Sequence, residues 1–339
     1  MKKLVFLFAM VFAVSMAMAQ ISGNVATIDQ YGSNIAVIEQ TGDLNEGIIT
    51  QGADGSPVYN AHVPGYAGDW KEGAFIYQTG TDNDAEIDVN VSSNGSRIDQ
   101  LGDYNWAKQE VNTSSTRTTD WDRMGVDINQ DGNHNLANQK TVASFGTVGI
   151  QGMKINQVGD YNVADQLSIG GWGQTVEIDQ IGNNNNNPTQ SGNTYDVSAT
   201  TLADPLNLSW AHKPSGDFTQ YTYENHGVTH MYVEGNDNNT YQYQEYDIWA
   251  VSGQNDAWMD IIGSRNNVAQ GQLGDLNSSD IDIVGDGNVV TSSQFGDSNM
   301  VNIDIVGGTN VVGVQQVGNL HNATVFQSGD SNFAKVIQQ

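Results

Sequence analysis

Apolar and polar residues alternate through most of this chain in short runs, and glycine and asparagine separate the runs at a fixed distance. The pattern is strictest over residues 261–339. Steps of eleven from Ile261 land on Gln272, Ile283, Gln294, Ile305, Gln316, Gln327 and Gln338. Two residues beyond the first seven anchors stand Gly263, Gly274, Gly285, Gly296, Gly307, Gly318 and Gly329. Five beyond stand Asn266, Asn277, Asn288, Asn299, Asn310 and Asn332, with His321 as the exception. Seven beyond stands a small or β-branched residue, such as Val268, Ser279, Val290 or Ala334. A fixed period held at four positions marks a repeat architecture.

The stretch from each asparagine to the next anchor has the length of an ordinary strand. Period-2 alternation puts Ala323, Val325 and Gln327 on one face, and likewise Ala334, Val336 and Gln338. Asp280, Asp282, Asn302 and Asp304 fall on the other face. Gly-x-x-Asn supplies the turn. Glycine takes φ > 0 at no steric cost, and asparagine tolerates the left-handed region and bonds its own backbone. One unit of eleven is therefore one strand and one turn. Two units predict a 22-residue coil that returns above its start, with like residues stacked about 4.8 Å apart. Ile281 and Ile283 recur as Ile303 and Ile305, while Ser292 and Gln294 fill the alternate strand. An apolar-lined sheet is thus expected to face a more polar one. The fold class is all-β: a parallel two-sheet β-solenoid with loop insertions.

The same unit appears almost from the start, at Asn24 to Gln30, and then at Gln40, Gly42, Asn45 and Gln51. It returns at Gln78, Gly80 and Asn83, and at Gln100, Gly102 and Asn105. Further units carry Gln130, Gln157 and Gln180. Interruptions are expected at about 53–73, 112–123, 142–152 and 195–225. All five prolines, at 57, 64, 188, 205 and 214, fall in these interruptions or at the end of the asparagine run that begins at Asn183. That placement suits hydrogen-bonded strands, because proline cannot donate to a ladder. About 22 strand units give about eleven coils and a body on the order of 50 Å long.

Isoleucine precedes the strict glutamines, as in Ile28-Asp-Gln30 and Ile98-Asp-Gln100, whereas the following strands reverse the order, as in Gln109-Glu-Val111. Stacked glutamines can bond side chain to side chain along the axis, and an unpaired buried amide costs about 1–3 kcal/mol. The candidate assembly ladder is therefore Gln30, Gln40, Gln51, Gln78, Gln100, Gln130, Gln157, Gln180, Gln272, Gln294, Gln316, Gln327 and Gln338. The candidate turn residues are Gly42, Asn45, Gly102, Asn105, Gly274, Asn277, Gly296, Asn299, Gly329 and Asn332.

The segment Gln327-Ser-Gly329-Asp-Ser-Asn332-Phe-Ala334-Lys-Val-Ile-Gln338 resembles the repeat of curlin, the subunit of bacterial curli amyloid fibres, at every motif position. Residues 40–51 match it with Gly47 in place of alanine. The resemblance covers most of residues 24–338 outside the interruptions. It implies a secreted subunit that passes an outer-membrane pore largely unfolded and assembles into extracellular amyloid fibres of the biofilm matrix. It also implies partners: further copies of itself, a nucleator and accessory secretion proteins. The rival reading is a monomeric cell-surface adhesin or glycan-binding module.

Residues 1–19 read as a signal peptide: Lys2 and Lys3, an apolar run, then Ala17-Met18-Ala19 before Gln20. No later apolar stretch is long enough to cross a bilayer as a helix, so a secreted, extracellular location is expected. The chain has no cysteine and therefore no disulfide framework. A net charge of −27 excludes the basic stripe that a nucleic-acid surface needs. The six histidines lack metal-site spacing, no carboxylate pair is set apart, and no nucleophile constellation or phosphate loop is present. The chain is read as a non-enzyme without a cofactor. Gly-Asp recurs in the turns, at Asp43, Asp103, Asp160, Asp275, Asp286, Asp297 and Asp330. It resembles calcium-binding β-roll repeats, but those use shorter units, and solubilising turn acids are the plainer reading. Tyr221, Tyr232 and Tyr243 follow the eleven-residue step on the outward phase. They are candidates for an exposed aromatic surface that would take a glycan or a neighbouring fibre, or for a ladder covered by the long loop.

Overall fold

The structure is a computed structural model that describes residues 23–33, 35–52, 58–59, 73–90, 95–112, 125–142, 150–169, 174–186, 220–223, 228–245 and 255–339. The signal-peptide expectation and all five prolines lie outside these residues, as do most of the expected interruptions. Residues 58–59, 73, 112, 142, 150–152 and 220–223, expected within interruptions, lie in strands.

In chain order the strands are β1 (Val25–Gln30), β2 (Gly32–Ser33), β3 (Ala36–Asp43), β4 (Glu46–Gln51), β5 (Val58–Tyr59), β6 (Gly73–Thr81), β7 (Asp84–Val89) and β8 (Gly95–Leu101). They continue as β9 (Trp106–Asn112), β10 (Gly125–Asp131), β11 (Leu136–Val142), β12 (Ile150–Val158), β13 (Val163–Ile169), β14 (Gln174–Ile181), β15 (Gln220–Tyr223), β16 (Val228–Glu234) and β17 (Asn239–Glu245). The last are β18 (Asp256–Ile262), β19 (Asn267–Leu273), β20 (Ser278–Val284), β21 (Val289–Phe295), β22 (Met300–Val306), β23 (Val311–Val317), β24 (Asn322–Ser328) and β25 (Phe333–Gln338). Among the described residues there is no helix.

The chain alternates between two sheets. One has 12 strands in the order β1-β4-β7-β9-β11-β13-β15-β17-β19-β21-β23-β25, and the other has 11, from β3 and β6 through the even-numbered strands to β24. A two-stranded pair, β2 with β5, stands apart. Pairing is parallel, and like residues meet: Ile281 lies on Ile303 and Ile303 on Val325, while Gln272 lies on Gln294 and Gln294 on Gln316. This is the parallel β-solenoid that the period predicts.

The inward phase forms one apolar cluster from Ala36 to Val325, with Ile28, Ala334 and Val336 packed against its ends. The passage from the 11-stranded sheet to the 12-stranded sheet is always Gly-x-x-Asn or its equivalent, as at Gly42 to Asn45 and Gly307 to Asn310. The return passage varies in length until Asn255 and is uniform only afterwards. With one exception, after β14, extra residues therefore enter on a single edge of the stack, as expected when repeats tolerate insertion on one side. In β19, β21 and β23 the outward positions are buried too, among them Ala269, Thr291, Ser293 and Gln315. The outer face of the 12-stranded sheet is covered there.

Candidate functional site: the side-chain ladders

The predicted glutamines form three rows and one solitary residue. On the 11-stranded sheet, Gln40, Gln78, Gln100, Gln130, Gln157 and Gln180 bond in sequence, each Nε2 donating to the Oε1 of the next at 2.8–3.0 Å. On the 12-stranded sheet, Gln30 donates to Gln51 at 2.6 Å. Further along the same sheet Gln244, Gln272, Gln294, Gln316 and Gln338 form a row at 2.7–3.0 Å. Every bond in these rows has the same polarity, the earlier coil donating to the later. A second Nε2 hydrogen reaches a backbone carbonyl, as from Gln78 to Glu46 and from Gln294 to Ser278. Buried amides are thereby satisfied, which is the condition for placing them between two sheets.

The anchor glutamine changes sheets midway. Above Gln180 its column continues as Val233, Ile261, Ile283 and Ile305, and the glutamines pass to the opposite sheet. From Gln100 to Gln294 each level thus keeps a glutamine facing an aliphatic or small side chain, whereas at the first levels Gln30 and Gln51 stand on one sheet and Gln40 and Gln78 on the other. Gln327 departs from this rule at the other end. It lies over Ile305, only 7% exposed, and its Oε1 has no hydrogen-bond partner. The site reading also left out a central row, in which Gln109 donates to Gln139, Gln139 to Gln166, and Gln242 to Gln270. The reversed order of glutamine and valine or threonine on alternate strands was its signal.

The turn asparagines do the same work on the backbone. From Asn24 through Asn45, Asn105 and the rest to Asn332, each Oδ1 accepts the N–H of the next asparagine at 2.9–3.1 Å. The Nδ2 of each but Asn332 donates to the turn-glycine carbonyl of the next coil at 2.7–3.0 Å. Asn255, Asn277 and Asn299 form a second column on the return edge, and His321 ends it. The glycines answer a steric demand. At Gly102 (φ 115°) an added Cβ would stand 2.0 Å from the carbonyl oxygen of Gly132, and at Gly274 and Gly296 it would stand 2.2 Å from the next glycine's oxygen. Among the described residues no coil stands above Gly329, and its Cβ would meet only Asn332 Nδ2, at 3.8 Å.

The turn acids have a defined role that sequence reading did not find. Asp103, Asp160, Asp286, Asp297 and Asp330 each accept, through Oδ1, the backbone N–H of the coil below at 2.7–3.1 Å. Asn133, Asn183, Asn236 and Asn319 stand in the same columns and do likewise. An aspartate and an asparagine are interchangeable there because only one acceptor oxygen is required. Among the described residues no group of three or more histidines and acids could hold a metal ion.

Outside the stack, charges form columns. Arg97, Asp127, Lys154, Glu177 and His230 follow one another in register. Lys154 bridges Glu177 and Asp179 at 2.5 and 3.0 Å, and His230 lies 3.5 Å from Glu177 and 3.6 Å from Asp260. His230 holds the Glu177 carboxyl down to about 2, helped by Lys154, and the bond to Glu177 raises the His230 ring above its ordinary value. Further along, Asp260, Asp282 and Asp304 stack with Asp280 beside them. Burial, then Asp280, Asp260 and Asp304, push Asp282 up to about 6.

The three candidate tyrosines do not make one surface. Tyr232 is on the 11-stranded sheet, half-buried, with its hydroxyl on Glu234 at 2.8 Å. Tyr243 is on the other sheet, only 3% exposed, and packs with Tyr241 and Ala269 under the covered outer face. Tyr221 pairs with Tyr243 through the backbone, and its side chain lies outside the described residues. The exposed aromatic column is instead Tyr104, His134 and Tyr161 in the turns, with ring centroids 4.9 and 4.6 Å apart.

Continuous side-chain ladders on parallel strands define a β-solenoid repeat protein. Neither the models of known protein families nor the curated proteins gave a match to this chain.

Proposed function

We propose that this protein is a secreted structural subunit that self-assembles, without catalysis, into curli-like extracellular amyloid fibres. The observation that carries the reading is the asparagine column, continuous from Asn24 to Asn332, with the glutamine rows that share one polarity. Parallel strands stacked in register with glutamine and asparagine ladders are the cross-β arrangement. In a solenoid, each coil is held by its neighbours alone, so a coil of a second molecule can stand where the next coil of the first would. Among the described residues nothing pairs with the outer edges of β24 and β25 or of β1 and β3. Open edges of this kind are what monomeric proteins blunt. The curlin-type repeat supports the extracellular setting, the outer-membrane pore and the nucleating partner. Purified protein should form unbranched fibres that bind thioflavin, seen by electron microscopy. A monomer that persists for days at high concentration would sink the proposal. In its place would stand the adhesin reading, whose supporting feature is the exposed ring column at Tyr104, His134 and Tyr161.

A further inference from the structure

We propose that the joint between successive molecules has one register, in which residues 323–327 of one copy seat on residues 36–40 of the next, and residues 334–338 on residues 26–30. This rests on the fibre reading and specifies its interface. Three observations fix it.

Glutamine polarity is the first. In every row Nε2 donates toward the C-terminal end of the stack and Oε1 accepts from the other side. Gln338, last on the 12-stranded sheet, accepts from Gln316 and spends one Nε2 hydrogen on the Asn322 carbonyl. Its other Nε2 hydrogen is the donor for a further glutamine. Gln30, first on that sheet, donates to Gln51, so its Oε1 is the acceptor that such a donor needs.

The second observation is the misfit of Gln327. Four aliphatic residues precede it in its column, and it has no glutamine beneath it. Within its own molecule it gains less than isoleucine would. Gln40 begins the other row on the same sheet, donating to Gln78, and among the described residues no glutamine lies below it. Stacked at the joint, Gln327 becomes the missing first member of the Gln40 row. Among the described residues, both sheets carry an anchor glutamine at one level only at the two ends of the stack, Gln30 and Gln51 with Gln40 and Gln78, and Gln316 and Gln338 with Gln327.

The third is apolar. In this register Ala323 and Val325 meet Ala36 and Ile38, and Ala334 and Val336 meet Ala26 and Ile28, which continues the core. Phe333, 64% exposed, comes over Val25, 48% exposed. A slip of one residue turns every inward side chain outward. A slip of two sets glutamine against isoleucine on both sheets.

The chain has no cysteine, so paired cysteines report the joint directly. Thr27 and Lys335 are outward, exposed and opposed in the proposed register. Their Cα atoms would stand about 4.8 Å apart across the joint, within disulfide reach, and at opposite ends of the stack within one molecule. Fibres of Thr27→Cys/Lys335→Cys, treated with a thiol oxidant, should give a ladder of covalent multimers on a non-reducing gel. Thr27→Cys/Ile337→Cys, displaced by two residues, should give none. Fibres in which the displaced pair links as well or better would overturn the joint and leave the fibre reading standing. Absence of fibres from the unmodified protein would overturn both. As a second arm, Gln327→Ile extends the isoleucine column and should keep the thermal stability of the monomer while slowing seeded elongation at least tenfold. An unchanged elongation rate refutes the joint.

Discussion

Gly285→Ala tests whether the turn glycines are demanded by the next coil or only by their own backbone. Gly285 has φ 143°, and a Cβ there would lie 2.0 Å from the carbonyl oxygen of Gly307. Ordinary contact needs more than an additional ångström, so the coils must part locally. The Gly307 N–H then moves from the Val284 carbonyl (2.9 Å), and the Asn288 side chain from the Gly307 oxygen (3.0 Å). Two weakened hydrogen bonds at about 1 kcal/mol each, added to about 1–2 kcal/mol of backbone strain, give about 3–4 kcal/mol. Gly329→Ala is the control. Its φ is 97°, and its Cβ meets only Asn332 Nδ2, at 3.8 Å. It should therefore cost the backbone strain alone, about 1–2 kcal/mol. A repeat stack need not unfold in one step, so the assay is amide hydrogen exchange read by mass spectrometry on β20 and β22, in monomeric protein. Gly285→Ala should lower their protection about a hundredfold or more, at 1.4 kcal/mol per factor of ten. Gly329→Ala should leave both strands nearly unchanged. Equal losses from the two variants would refute the idea that coil-to-coil contact, rather than φ, makes these positions glycine.

Ile303→Asp should place an unpaired charge between the sheets and cost roughly 3 kcal/mol or more in urea unfolding. Asp304→Ser, one residue on and facing outward, should be neutral or slightly stabilising because it relieves Asp282; similar losses from both would contradict the strand phase. Stability should also follow pH in two opposed ways. Asp282, whose folded pKa of about 6 lies above its unfolded value, contributes most below about pH 4 and loses that contribution as pH rises through 6. Asp282→Asn should remove that limb and raise the melting temperature at pH 7, and a lower melting temperature at pH 7 would count against the acid stack. Glu177, held near 2, contributes above about pH 4.5 and loses that contribution as pH falls toward 2, so Glu177→Gln should flatten the acid limb. His230, raised above its ordinary value, adds stability that is full below about pH 6.5 and fades as pH rises through its folded pKa.

Much of this architecture was legible because a period of eleven carries both strand phase and turn chemistry. Ile303 inward, Asp304 outward and the Gly-x-x-Asn turn follow from alternation and from glycine's tolerance of positive φ. The glutamines were found as a set, but their division into rows was hidden, because sequence order does not say which sheet a unit joins once an insertion intervenes. The 33 positions between Asn186 and Gln220, outside the described residues, fall where the anchor column passes from Gln180 to Val233. The acceptor role of the turn acids was illegible for a different reason. Their partner is a backbone N–H one coil away, which leaves no trace in residue type beyond the exchange of aspartate for asparagine. For Tyr243 the sequence left an exposed and a covered ladder open, because outward phase does not fix exposure, and the covered outer face of β17 to β23 separates the two.

The central claim is that molecules stack end to end, coil upon coil, so that one chain occupies one length of the stack. The most direct test is mass per unit length of the fibres, by scanning transmission electron microscopy of unstained specimens. Twelve strands in the longer sheet, at about 4.8 Å each, make about 58 Å per 36.6 kDa chain and thus about 0.6 kDa per Å for a single file. Filaments at that value, or at small whole multiples where files associate, agree with the account. A value about tenfold higher would mean that each chain lies flat within one strand layer of the fibre, and the solenoid would not be its building block.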